Sequence, residues 1–100
     1  MDDETQPELA HAIQGQTVAF VENAPEGLTL HFEGGATMRL KGQIDPGHQV
    51  PTGTSVVQVF EHQDRLELHF SQGPPAAFTL TNPGNAVAVR DATGKVVYLG

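Results

Sequence analysis

One hundred residues, 38% of them apolar and none of them cysteine, suit a single domain with one core and neither disulfides nor thiolate chemistry. The net charge of −7 says less than its size suggests, because Asp2, Asp3, Glu4 and Glu8 place four of the twelve carboxylates at one end. The five basic residues (Arg39, Lys41, Arg65, Arg90, Lys95) form no run, which argues against a nucleic-acid partner, and no apolar stretch is long enough to span a bilayer.

Residues 1–15 read differently from the rest. Thr5 and Glu8 have capping-box spacing, Pro7 suits a first helical turn, and Gly15 suits a helix end. Leu9 and Ile13 would share a face. The segment is either a short helix that persists only by docking those two residues or a frayed acidic tail, and the tail is favoured. No signal peptide is read here. A processed exported chain would look the same, so the compartment stays open.

From residue 16 onward the pattern is that of an all-β domain. Thr17–Glu22, Leu28–Glu33, Ala36–Lys41, Ser55–Glu61, Arg65–Ser71, Ala76–Thr81, Ala86–Arg90 and Lys95–Leu99 alternate or cluster apolar residues between Gly, Pro and Asn turns. Asp45-Pro46-Gly47-His48 and Asn82-Pro83-Gly84-Asn85 both carry type II turn chemistry. Pro51 and Gly53 break Gln49–Thr54, which reads as a connector.

The chain also says one thing twice. Leu28-Thr29-Leu30-His31-Phe32 returns as Leu66-Glu67-Leu68-His69-Phe70, each followed by a glycine three residues on. Residues 17–42 and 55–82 are therefore read as two copies of a three-stranded meander, with Pro74 and Pro75 as an insertion that aligns Leu40 with Leu80 and Ala36 with Ala76. A hairpin over 86–99 closes the chain. Seven or eight short antiparallel strands, packed as a small barrel or a sandwich, are the expected architecture.

Two stretches resist simple alternation. Val18-Ala19-Phe20-Val21 and Val56-Val57-Gln58-Val59-Phe60 carry apolar residues on both parities. Each is buried on both faces, carries a bulge, or lies in a subunit interface. The last option makes Val18, Phe20, Val56 and Phe60 candidate contact residues.

Candidate chemistry is sparse. His31 and His69 occupy matching positions pointing away from the core. A metal site would need them to converge with a carboxylate, and the five histidines show no ligand-type spacing. They read instead as surface residues of a contact face. Neither serine lies in a nucleophile elbow, and Gly34-Gly35 is a hairpin turn rather than a phosphate loop. Glu61, Asp64 and Glu67 read as solvated hairpin carboxylates.

The expectation is thus a non-catalytic protein-interaction module without cofactor or metal. It would use a sheet face or an edge strand, with a second copy of the chain among the candidate partners. The alternatives are a carrier of a small apolar ligand inside a β-barrel and a metal-binding protein using His31 and His69.

Overall fold

The computed structural model describes residues 4, 5 and 7–100, with side chains from Glu8 onward. In chain order its elements are β1 (Glu4–Thr5), α1 (Pro7–Ile13), β2 (Val18–Ala24), β3 (Gly27–Phe32), β4 (Thr37–Ile44), β5 (Val56–His62), β6 (Arg65–Phe70), β7 (Ala76–Leu80), β8 (Val87–Arg90) and β9 (Val96–Leu99). The strands pair antiparallel throughout, so the all-β expectation holds.

Alternation sets the faces. Leu28, Leu30 and Phe32 in β3, and Leu66, Leu68 and Phe70 in β6, are all buried, while Thr29, His31, Glu67 and His69 between them are half-exposed. The same alternation buries Met38 and Leu40 in β4 and Val87 and Val89 in β8. All of these side chains meet in one apolar core.

The strand registers relate the two meanders closely. β2, β3 and β4 pair Val18 with Phe32, Leu30 with Met38 and Leu28 with Leu40. β5, β6 and β7 pair Val56 with Phe70, Leu68 with Ala76 and Leu66 with Phe78. Each member of the second set follows its counterpart by the same 38 positions that separate Thr17 from Ser55. Leu40 therefore corresponds to Phe78 and Met38 to Ala76, not Leu40 to Leu80 and Ala36 to Ala76. Pro74 and Pro75 replace Ala36 and Thr37 rather than being inserted. The Thr17–Ser55 bridge and the Gly42–Leu80 pair each join two residues separated by this same offset.

The sheet is open. Its main path runs β1-β5-β6-β7-β4-β3-β2, and β8 pairs with β4 and β9 off that path. β2 and β5, at the ends of the six long strands, meet only at the Thr17–Ser55 bridge. Backbone from the flanking loops meets each edge only next to that bridge. Val18 donates to Thr54 and accepts from Gly53, while Val56 donates to Gln16 and accepts from Gly15. The expected small barrel is thus not closed, and β4 links all the strands into one open sheet. The sheet curls on itself nonetheless. The radius of gyration is 12.1 Å, against about 13 Å for a compact domain of this length.

The turns follow their chemistry. Gly47 and Gly84 have φ of 83° and 92°, and both Pro-Gly turns close through the N–H of the fourth residue. Both two-sided strands prove to be bulged, with a register shift between Val18 and Phe20 and another between Val56 and Gln58. The extra residue puts Val18 and Val21 inside and Ala19 and Phe20 outside.

Residues 7–13 form a helix rather than a frayed tail. Pro7 opens it, and any capping of its first turn falls on side chains outside the described residues. Leu9 and Ile13 are fully buried, which explains how two turns persist. The acidic residues Asp2 and Asp3 lie outside the described residues. Ile13→Ala should cost about 2–5 kcal/mol in a urea or guanidinium titration, whereas a dangling tail would leave the midpoint unmoved.

Candidate functional site

The bulge in β2 decides which candidates reach the surface. Val18 and Val56 are both fully buried, so neither is a contact residue. The expectation that they share a surface with Phe20 and Phe60 is overturned, because the bulged residue reverses the parity immediately after each valine. Phe20 stands 54% exposed, and Phe60 is half-buried on the strand that β1 covers.

Phe20 does not stand alone. It lies directly across the ladder from His31, and the two rings stack with centroids 4.2 Å apart and planes 9° apart. His31 Nε2 lies 3.0 Å from Glu22 Oε1 and must donate, since a carboxylate can only accept. The second meander uses the same residue types in another order. Gln58 faces His69 across the ladder, so it is Phe60 that meets the His69 ring, edge-on at 5.1 Å. His69 Nε2 donates to Glu67 Oε1 at 2.6 Å.

The two histidines are not brought together. His31 lies on β3 and His69 on β6, with β7 and β4 between them in the sheet. Each imidazole is tied to a carboxylate of its own half. Among the described residues no group of three His, Asp or Glu side chains is placed to hold a metal ion.

Beside this cluster lie two hollows that alternation does not announce. One, of about 460 Å³, lies on the outer face of β2, β3, β4 and β8 and includes His31, Arg39 and Arg90. Both guanidiniums are engaged, Arg39 with Glu26 at 3.1 Å and Arg90 with the Gly94 carbonyl at 3.1 Å. The other is a groove of about 340 Å³ between the free edge of β2 and the connector, with Phe20, Val21, Leu28, Ile44, His48 and Val50 among its walls. Neither is an internal cavity, and Phe78, Leu30, Met38 and Leu68 fill the interior between the strands.

Of the carboxylates that the sequence reads as solvated, Asp64 is exposed while Glu61 and Glu67 are half-buried. Where α1 and β9 pack near β5, burial raises the Glu61 carboxyl above its ordinary value of 4.5. Burial also raises the Tyr98 phenol above 10.0, with Glu61 and Glu8 adding to the effect. A carboxyl with a raised folded pKa holds its proton more tightly in the folded chain. It therefore favours folding below the ordinary value, and that contribution is lost as pH rises through the folded one. Glu61→Gln should raise stability at neutral pH and flatten this loss. Urea midpoints from about pH 4 to about pH 7 check it, and equal slopes for both proteins would count against it.

No family model matches the chain, and no curated protein or solved structure matches it either.

Proposed function

We propose that the protein is a non-catalytic interaction module whose contact surface is the outer face and free edge of β2. The observation that carries this reading is Phe20, a large apolar side chain left exposed on a terminal strand and held in place by the stacked His31 ring. An aromatic already fixed in position gives up little conformational freedom on binding, which is why such residues anchor interfaces. Beyond Val18, no described strand pairs with the outer edge of β2. A free edge is a template for an incoming strand. The partner is a protein, and a second copy of the chain is one candidate. The constant offset of 38 positions between the meanders supports an origin by internal duplication, with the β2 side as the half left uncovered.

The test places a photo-crosslinking residue at position 20 and, as a control, at position 93 in the hairpin turn between β8 and β9. A covalent product at position 20 alone is expected, either a homodimer or an adduct with one partner. Phe20→Ser should then weaken the purified complex about tenfold or more, as an interface anchor does. Equal labelling at both positions, or a partner indifferent to Phe20→Ser, overturns the reading.

A further inference from the structure

The β4–β7 ladder ends one bond short. Thr81 donates to the Lys41 carbonyl at 2.9 Å, and four residues further along β4 Asp45 donates to the Ala77 carbonyl at 2.9 Å. A hydrogen-bonded pair in an antiparallel ladder exchanges two such bonds, but Asp45 and Ala77 exchange only one. The chain turns away at Asp45-Pro46-Gly47-His48, and the Asp45 carbonyl is spent on that turn, accepting from the His48 N–H at 3.0 Å. Ala77 is fully buried, so its N–H needs another acceptor. A side chain supplies it. The Ala77 N–H donates to His48 Nδ1 at 3.3 Å.

The same nitrogen lies 3.3 Å from the Pro75 carbonyl oxygen. It cannot serve both partners at once. Without a proton, Nδ1 accepts from Ala77; with one, it donates to Pro75 and leaves the Ala77 N–H without an acceptor. Two hydrogen-bond arrangements are thus available at one ring position, and a single proton separates them. Imidazole is the side chain that gains or loses a proton between about pH 5 and pH 8.

Other charges near His48 are already occupied. Asp45, in the same turn, accepts from Arg65 at 2.8 Å and from Thr79 at 2.7 Å. Glu67, opposite Ala77 on β6, accepts from His69. The groove beside β2 has His48, Gln49, Val50 and Thr52 on its connector wall, and none of its other lining residues is titratable. Among the described residues no carboxylate forms an ion pair with His48.

We propose that His48 is a proton-operated latch that ties the connector to β7, closed when the imidazole is neutral and released when it is charged. In the closed form the ring carries its proton on Nε2, and Nδ1 completes the bond that Asp45 leaves unmade. In the released form the ring holds only the Pro75 carbonyl and the Ala77 N–H opens to water. The connector shifts with the ring, and with it the groove wall beside Phe20. The latch works in the free chain, whatever binds at that surface.

The test follows the full chain by NMR from about pH 8 to about pH 5. The His48 ring is expected to titrate, and the backbone amide signals of Ala77, Val50 and Thr52 to move with the midpoint of that ring. Protection of the Ala77 amide from hydrogen exchange, with the intrinsic pH dependence divided out, should fall about tenfold or more, as loss of one buried hydrogen bond implies. His48→Gln keeps an acceptor oxygen and takes up no proton, so its Ala77 amide should stay protected at both ends of the range. His48→Phe keeps a ring without an acceptor, and its Ala77 amide should be open at both ends.

A His48 ring that stays neutral down to about pH 5 overturns the latch. An Ala77 amide that keeps its protection once the ring is charged does so too, as does one that follows the midpoint of His11, His31, His62 or His69. These readings come from the unaltered chain and decide the question even where a variant fails to fold. Opening of the Ala77 amide at low pH in His48→Gln, or its protection in His48→Phe, would likewise overturn the latch.

Discussion

Phe78→Ala should lower the free energy of unfolding by about 3–5 kcal/mol. Phe78 is the largest of the fully buried side chains, on a strand laddered to β6 at Leu66 and to β4 at Ile44. Those neighbours are pinned by backbone pairing on both sides, so the site has little freedom to collapse around the missing ring. The loss is large against a total of about 5–15 kcal/mol for a domain of this size, and each kcal/mol corresponds to about 4–8 °C in Tm. Calorimetry or a denaturant titration checks it. The exposed Phe20 is the internal control, since Phe20→Ala should change stability by no more than about 0.5 kcal/mol. A loss at Phe78 as small as that at Phe20 would show a core that repacks freely.

Gly42→Ala should be strongly destabilising, for want of space as well as for its backbone conformation. Gly42 has a φ of 145°, and a Cβ there would lie 2.2 Å from the Thr79 carbonyl oxygen and 2.9 Å from the Leu80 Cα. Both obstacles are backbone and cannot rotate away. Strained φ and overpacking together should cost about 2–6 kcal/mol. Gly94 separates the two contributions. Its φ is 90° but nothing lies within 4 Å of an added Cβ. Gly94→Ala should therefore cost only the conformational part, about 1–2 kcal/mol. Equal losses at both positions would mean that β4 and β7 can part without penalty.

Gly42 also marks where β4 changes partner, pairing with β8 over Thr37–Leu40 and with β7 over Gly42–Ile44. That exchange illustrates which features were legible in the residues. Local features were, because they depend on neighbours in sequence. Alternation in Leu28–Phe32 and Leu66–Phe70 gave the faces, and Pro-Gly pairs gave the turns. Two-sided hydrophobicity in Val18–Val21 pointed to a bulge among three options. Its consequence was missed, because a parity reversal after one residue moves Val18 and Val56 inward while leaving Phe20 outside.

Long-range features were less legible. The identity of Leu40 and Leu80 suggested a two-residue insertion, whereas the ladder aligns Leu40 with Phe78, so register outweighs residue identity. Barrel and sandwich could not be separated, since the outcome turns on loop backbone meeting Val18 and Val56. The site was half visible. Phe20 and His31 are legible in the sequence, but the groove beside them depends on how the connector residues His48–Val50 pass the edge of β2.

The near-equivalence of the meanders also bears on how the molecule reaches its fold. Each half offers its mate the same kind of edge, and only the connector between Ile44 and Val56 determines which molecule a given mate belongs to. A half from one chain can satisfy a half from another with every ladder conserved, which is the condition for exchanged dimers. Encounter between chains scales with concentration and closure within a chain does not. The yield of monomer on refolding should therefore fall as chain concentration rises, which sizing after refolding at two dilutions checks.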